Sequence, residues 1–207
     1  MPYKKILLSA TFAAGVAFGG ASHALAQVAT TKPADVPAGT YKVEPFHTRI
    51  LFDVSHMGFT TWYGDFSGAS GTLMFDPKAP AKSTLTISFP TDSVSTTNTK
   101  LDGELKSPVW FDAAQYPTIS FQSTRIRVTG HNTGVIEGNL TFHGQTHPVT
   151  LTAHFNGGGV NPIDHAYTIG FDATGALSRA EWGVKTYDPL IGDKVGLILS
   201  AAFELQK

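Results

Sequence analysis

Residues 50–56 have the sequence Ile-Leu-Phe-Asp-Val-Ser-His, and their alternation decides the fold class. Ile50, Phe52 and Val54 occupy every second position, and successive side chains of a β-strand point to opposite faces of its sheet. The same period of two recurs along the chain. The further apolar sets are Trp62 and Phe66; Leu85, Ile87 and Phe89; Ile119 and Phe121; Leu140 and Phe142; Leu151, Ala153 and Phe155; Tyr167, Ile169 and Phe171; and Leu197, Leu199, Ala201, Phe203 and Leu205. Glycine-rich and Asp-Pro turns separate these sets, so we predict an antiparallel all-β domain of about eight strands.

One segment departs from this pattern and predicts a short helical insertion. Asn98 is placed to cap a helix that ends near Leu105, and a second turn is expected between Pro108 and Pro117. The strand pattern alone is compatible with a sandwich or a barrel, because both alternate inward and outward residues. The inward set is rich in Phe but includes small residues, so an interior with ligand space and an interior filled by aromatic rings both remain open.

The composition excludes several functional classes. Only 15% of the 207 residues are charged, against about 25% in an average soluble domain. The chain has 15 Lys and Arg against 16 Asp and Glu and no run of basic residues, so we expect no nucleic-acid partner. It has no Cys, which excludes disulfides, thiolate catalysis and sulfur-ligated metals.

The N-terminus has the features of an export signal. Lys4 and Lys5 precede an apolar segment, and Ala24-Leu25-Ala26 has the small-x-small form of a cleavage site. The apolar run of about fifteen residues is shorter than the roughly twenty that span a bilayer. We therefore predict a cleaved signal peptide over residues 1–26, cut after Ala26, and a periplasmic location. Residues 27–38 are expected to form a flexible lead-in, and residues 39–207 the folded domain.

A search for catalytic motifs supports a non-enzymatic protein that needs no cofactor. The sequence has no G-x-S-x-G, P-loop, H-E-x-x-H or strand–GxGxxG–helix motif. His143 and His147 flank the Gly144-Gln145 turn, and with His154 they form the basis of an alternative metal-handling hypothesis. Because the ligand set is incomplete, we expect no metal site.

His56 is a candidate polar group at the entrance of an apolar interior. It continues the alternation of Ile50, Phe52 and Val54, so it is expected to point inward at the end of its strand. A polar side chain there can orient the head of an amphiphile. The alternative is a core histidine that bonds a backbone carbonyl, and both interpretations remain open.

From Tyr41 to about Gln206 the chain resembles the YceI-like, polyisoprenoid-binding periplasmic proteins. The resemblance rests on an ordered series of segments: Tyr41–His47, Phe52–Gly58, Gly64–Gly68, Gly71–Pro77, Leu105–Asp112, Tyr116–Phe121, Gly138–Gly144, Ser178–Val184 and Gly192–Val195. It implies a lipocalin-like antiparallel barrel around a long apolar tunnel that holds an isoprenoid chain, such as that of a prenyl diphosphate or an isoprenoid quinone. It also implies a carrier, sequestering or stress-related role.

The sequence departs from the family pattern where head-group contacts are expected. Ser55 and His147 stand where family members often have basic residues, and the run from Asn98 to Leu105 differs from the usual one. The remaining basic candidates are Arg179, Lys185 and Arg49. A diphosphate head needs Arg or Lys, so we expect an uncharged head such as a quinone or an amide.

Alternation, together with the resemblance, identifies the residues expected to bind the ligand. They are Ile50, Phe52, Val54, His56, Phe66, Leu85, Ile87, Phe89, Leu105, Trp110, Phe121, Phe142, Phe155, Phe171 and Arg179. His56, Asp102 or Arg179 are expected at the entrance, and Leu105, Trp110 and Phe111 are expected to cap one end. We expect a carrier of an isoprenoid-chain amphiphile that makes transient contacts with inner-membrane redox proteins. The competing hypothesis is a periplasmic stress-related interaction protein with a solid core and no lipid.

Overall fold

The computed structural model describes residues 29–207, so the predicted signal peptide lies outside the described residues. The described chain contains the strands β1 (Gly39–His56), β2 (Thr60–Phe66), β3 (Ser70–Phe75), β4 (Thr84–Pro90), β5 (Thr118–Val128), β6 (Thr133–Phe142), β7 (Gln145–Val160), β8 (Tyr167–Ser178) and β9 (Ile191–Leu205). It also contains the helix α1 (Thr99–Lys106) and short 3-10 turns at Pro33–Asp35, Pro80–Lys82, Thr91–Ser93 and Arg179–Trp182. No helix between residues 29 and 207 has the length and apolar character needed to cross a membrane.

The strands form a closed antiparallel barrel, as predicted. β1 pairs with β9 along one side, and every other neighbouring pair in the order β3 to β9 is antiparallel. On its other side, β1 pairs with β3 through residues 39–42 and with β2 through residues 50–56. Eight strands, β1 and β3 to β9, therefore close the ring, because the 18-residue β1 is long enough to have two different neighbours on one edge. β2 lies in line with β3 along the same edge of β1 and contributes Phe66 to the barrel interior.

The predicted helical insertion is also present. The Asn98 side chain caps α1 by accepting hydrogen bonds from the backbone N–H groups of Lys100 and Leu101, at 3.2 and 3.3 Å. Such a cap satisfies amides that have no partner within the helix. Leu105 is the buried residue of α1 and anchors the helix on the barrel.

The described part of the predicted flexible lead-in is packed on the barrel, which corrects the sequence-based expectation. Thr30 and Gly158 exchange two backbone hydrogen bonds, at 2.8 and 2.9 Å. Val36 is 3% exposed, and the Tyr41 hydroxyl donates a hydrogen bond to the Pro37 carbonyl at 2.7 Å. Burial, with the charge of a neighbouring tyrosine as a smaller effect, raises the pKa of Tyr41 to about 12. The small and polar composition of residues 27–38 concealed this docking, because it depends mainly on one valine.

The barrel has two structurally different ends. The helix end is formed by residues 91–117, which include α1, and by residues 179–190. The N-terminal end is formed by residues 29–38, the β3–β4 loop and the β5–β6 hairpin. Two clusters of buried apolar side chains occupy the barrel, one reaching the helix end through Leu105 and Trp110 and the other reaching the N-terminal end through Val36.

Candidate functional site

An apolar cavity of about 340 Å³ lies inside the ring. Ile50, Ile87 and Leu199 point into it and are only half-buried, although they are on the inner face of a closed barrel. Inward-facing apolar side chains retain exposed surface when no neighbouring side chain fills the space in front of them. The interior is therefore unfilled, which is incompatible with the solid core of the competing hypothesis.

Glycines on neighbouring strands explain why the many phenylalanines leave this space. A Cβ on Gly64 would collide with the ring of Phe52, and a Cβ on Gly138 would collide with the ring of Phe121. Each ring therefore lies against the backbone of the neighbouring strand instead of projecting toward the barrel axis. Alanines also line the cavity, at positions 153, 173 and 201.

The size and shape of the cavity suit a long, slim apolar molecule. An apolar protein cavity of about 150 Å³ is large enough to bind benzene, and this one is more than twice that size. On the regularly paired part of β9, beyond the irregular stretch after Ile191, the lining extends from Val195 to Phe203, about 26 Å along the strand. For a strand tilt of about 40°, this corresponds to about 20 Å along the barrel axis.

The cavity reaches the surface at the N-terminal end. Val128 lines it and is 50% exposed. The pairing of β4 with β5 ends at Thr86 and Gln122, so the end of β5 projects beyond its neighbour and leaves Val128 uncovered. Pro33, Pro80 and His131 complete this entrance. The sequence-based expectation of an entrance near His56, Asp102 or Arg179 was therefore wrong.

The helix end is closed by buried side chains that also line the cavity. Leu105, Trp110 and Arg179 are 7%, 8% and 5% exposed. Phe111 lines the same end, so the three residues expected to cap one end are found there. The Arg179 guanidinium lies 5.7 Å from the Trp110 ring centroid, within the range of a cation–π contact.

Arg179 stabilises the closed end through three hydrogen bonds to backbone carbonyls. It donates to Val184 and Ile191 at 2.7 Å each and to Gly192 at 2.9 Å. Burial lowers the pKa of Arg179, and the charges of Asp188 and Asp193 oppose this effect. Three of its five N–H donors are thus used within the protein, so its position on the cavity wall has a structural reason.

The structure places every predicted ligand-binding residue except His56 on the cavity wall. Those on the wall are Ile50, Phe52, Val54, Phe66, Leu85, Ile87, Phe89, Leu105, Trp110, Phe121, Phe142, Phe155, Phe171 and Arg179. The pairing of β1 with β2 is regular through His56, and the register shift beside it lies in β9, so His56 keeps the same face as Val54 but does not line the cavity. The His56 ring instead packs on Trp62, with centroids 5.5 Å apart. Ligand contact by the wall residues stays a prediction.

Sequence reasoning missed the residues at the entrance. A β-bulge between Ser123 and Arg125 shifts the alternation of β5, so Ile126 and Val128 face inward although they are out of phase with Phe121. A bulge leaves no mark in a period-two pattern. His131 lies in a hairpin, where no alternation applies.

The other charged candidates are off the wall or already paired. Asp102 accepts hydrogen bonds from the Thr96 backbone N–H and hydroxyl, at 2.6 and 2.7 Å, and Lys185 is exposed away from the cavity. Arg49 lines the cavity but forms an ion pair with Asp65. No Asp, Glu or Lys of the described chain lines the cavity.

The three histidines of the metal-handling hypothesis have separate partners. His143 bonds the Trp182 carbonyl at 2.9 Å, His147 contacts Gln145 at 3.3 Å, and His154 contacts Asn156 at 3.0 Å. Over residues 29–207, no three His, Asp or Glu side chains are grouped closely enough to hold a metal ion. The geometry thus offers this hypothesis no support.

A closed antiparallel barrel around an apolar cavity, with one helical insertion, defines a lipocalin-like architecture. The YceI-like domain model matches residues 41–203, and the chain belongs to this family. A UPF0312 protein of Pseudomonas savastanoi pv. phaseolicola is 34% identical over 143 residues, covering 69% of this chain and 74% of the relative. A UPF0312 protein of Yersinia pestis is 34% identical over 165 residues, covering 79% of this chain and 85% of the relative.

Solved structures show the same fold. Burkholderia cenocepacia BcnA superposes with a TM-score of 0.70 at 22% identity, covering 77% of this chain and 98% of BcnA. A polyisoprenoid-binding domain from Saccharophagus degradans superposes with a TM-score of 0.58 at 12% identity, covering 82% of this chain and all of that domain (100%). At these identities the likeness supports the fold alone.

Proposed function

We propose that this protein is a periplasmic carrier that sequesters the isoprenoid tail of an amphiphile in its barrel cavity. The observation that carries the proposal is the unfilled apolar cavity of about 340 Å³, which extends from the entrance to the closed helix end. Membership of the YceI-like family supports it. The structurally similar Saccharophagus degradans domain is described as polyisoprenoid-binding, which agrees with the same ligand class.

Transfer of the tail from water supplies the driving force. Each buried methylene contributes about 0.8 kcal/mol, and immobilising the chain offsets part of this gain. The tail is directed toward Trp110 and Arg179 at the closed end, and the head lies at the entrance near His131 and Asn132. Binding requires no catalytic group, in agreement with a non-enzymatic role.

The charges around the cavity favour an uncharged head, as in an isoprenoid quinone. A diphosphate requires free Arg or Lys donors. Arg49 is paired with Asp65, and Arg179 bonds three carbonyls at the end opposite the entrance. His131 and Asn132 are suited to hydrogen-bond a carbonyl or hydroxyl at the entrance.

The predicted signal peptide supports a periplasmic location, and mass spectrometry of the exported protein tests it. The measured mass should be that of a chain that begins at Gln27. Transient contact with inner-membrane redox proteins remains a prediction, since a quinone carrier must exchange its ligand with quinone-dependent enzymes.

Mass spectrometry of solvent extracts tests the ligand. Protein purified from its native periplasm should release an isoprenoid lipid in stoichiometric amount, with quinones in excess of prenyl diphosphates. An extract without isoprenoid lipid refutes the carrier proposal and favours an interaction protein. An extract dominated by prenyl diphosphates refutes the uncharged head group.

A pair of neighbouring substitutions tests the site. Ala173 lines the cavity at mid-height, whereas Thr174 is exposed on the outer face of β8. The indole of Ala173→Trp adds nine heavy atoms to a side chain that lines the cavity, so it should fill much of the bore. We expect Ala173→Trp to lose the copurifying lipid and Thr174→Trp to retain it. Equal lipid content in two folded variants would place the ligand elsewhere.

A further inference from the structure

β2 has an edge that is largely unpaired. The strand continues the barrel wall in line with β3 and pairs with β1 on one side. On its other side, its bridge partner within residues 29–207 is Ser95, which exchanges two backbone hydrogen bonds with Asp65 at 2.9 Å each. The edge from Thr60 to Gly64 is not covered by any other strand of the described chain.

The bridge to Ser95 shows which backbone groups point outward. In an antiparallel pair, residues alternate between hydrogen-bonding toward the partner strand and pointing away from it. Asp65 points away from β1, and no bulge interrupts the pairing of β1 with β2. Thr61 and Tyr63 therefore also direct their N–H and C=O groups outward. No other residue of the described chain bonds these outward groups.

This edge has none of the features that usually protect an edge strand. Natural proteins place Lys, Pro, bulges or a covering segment along such edges. Residues 60–64 are Thr-Thr-Trp-Tyr-Gly, without charge or proline, and four of the five have high strand propensity. Tyr63 is 58% exposed, and Phe59 beside the strand is 84% exposed. The edge is therefore suited to pair with another strand.

We propose that β2 pairs with β2 of a second copy of this chain, antiparallel and about a two-fold axis through Trp62. In this register Thr61 lies opposite the partner's Tyr63, and Tyr63 lies opposite the partner's Thr61. Both are hydrogen-bonded pairs, so the outward groups of the two strands form four backbone hydrogen bonds. Trp62 lies opposite the partner's Trp62 in a non-hydrogen-bonded pair, with a Cα separation of about 4.5 Å.

The geometry favours a second copy over an unrelated strand because the edge is complementary to itself. Ser95 ends the free edge at Asp65, so a shift along the strand loses bonds that the two-fold register makes. The absence of charge from Thr60 to Gly64 avoids repulsion between identical residues. A five-residue edge buries less than the roughly 1,600 Å² of a standard stable interface. The dimer is therefore reversible and depends on protein concentration.

A proline substitution tests the role of the edge amide. The Thr61 N–H points away from β1, so Thr61→Pro removes an intermolecular donor without removing a bond of the β1–β2 pair. Sedimentation velocity from micromolar to millimolar protein should show association of the unsubstituted protein and of the control Thr61→Val, and no association of Thr61→Pro. A monomer throughout this range, or association unaffected by Thr61→Pro, overturns the proposal.

Cysteine cross-linking tests the register independently of the proline variant. The chain contains no Cys, so each single substitution reports one position. Two Trp62→Cys chains meet at about 4.5 Å between Cα atoms, within disulfide reach, whereas Tyr63→Cys chains are offset by two residues and exceed the limit of about 7 Å. Mild oxidation should yield a covalent dimer of Trp62→Cys and leave Tyr63→Cys monomeric. The reverse result, or no cross-link of folded Trp62→Cys, overturns the two-fold register.

Discussion

Lengthening the isoprenoid tail of a bound quinone should tighten binding only until the tail fills the cavity. The lining on β9 from Val195 to Phe203 corresponds to about 20 Å along the barrel axis. An isoprene unit has four bonds along its chain and extends about 5 Å, scaled from the 3.80 Å of three bonds between consecutive Cα atoms. About four units therefore fit between the entrance and the closed helix end.

The expected gain for each unit follows from burial and chain entropy. Five buried carbons contribute about 4 kcal/mol, and immobilising the rotatable bonds of the unit offsets about half of this. The remaining 2 kcal/mol or so corresponds to an affinity gain of about 30-fold for each unit up to the fourth. Further units remain in water and should change the affinity by less than about threefold.

Isothermal titration calorimetry with benzoquinones that carry one to six isoprene units measures this dependence. Trp110 lines the closed end of the cavity, so a change in fluorescence that Trp110→Phe abolishes would show that the tail reaches this end. Val54→Trp should shift the plateau to a shorter tail because Val54 is paired with Val195 near that end, whereas the outward Ser55→Trp should not. A Kd that is independent of tail length, or that keeps falling steeply beyond about four units, would refute a closed cavity of this depth.

Three substitutions test the groups that stabilise the two ends. Arg179→Leu leaves three backbone carbonyls without their donor and should lower the free energy of unfolding by about 3–5 kcal/mol in urea; a loss below about 1 kcal/mol would contradict this role. Asp193→Asn should destabilise the protein near neutral pH, because hydrogen bonds from Ser178 and the Ala180 amide lower the Asp193 pKa against the opposing effect of burial, and Arg179 adds to the lowering. A lowered folded-state pKa stabilises above the ordinary value of about 3.9, and this contribution is lost as the pH falls through the folded-state pKa, so urea titrations should show the two proteins converging in acid. Tyr41→Phe removes the hydrogen bond to Pro37 and should cost about 1 kcal/mol, with faster hydrogen exchange in residues 29–38; unchanged exchange there would show that the hydroxyl does not retain the segment.

The strands and the inward-facing set were predictable from sequence because alternation is a local property. Ile50, Phe52 and Val54 face the cavity, and so do Leu85, Ile87 and Phe89. The cap of α1 was equally predictable, since the Asn98 side chain accepts hydrogen bonds from backbone amides only two and three residues away. Local patterns of this kind survive into the fold wherever the strand pairing is regular.

The sequence-based predictions failed where the strand pairing is irregular or where a contact between distant residues determines the position of a segment. His56 packs on Trp62 at the end of β1 instead of lining the cavity, and the bulge near Ser123 brought Val128 to the entrance. Val36 packs into the barrel because the residues around Tyr41 and Phe155 form a site for it. None of these three positions can be read from the sequence of the segment that contains the residue.

The amino-acid sequence by itself determined which side chains face inward in the regularly paired strands, because that depends on neighbours two positions apart. Tertiary structure alone decided that the interior is unfilled, that it opens beside Val128 and that β2 keeps a free edge. The physical reason is that an internal volume is a sum over residues from all strands of the ring. Whether Phe52 and Phe121 occupy the axis depends on Gly64 and Gly138 on neighbouring strands, and the register of strand pairing decides which residues lie beside each ring.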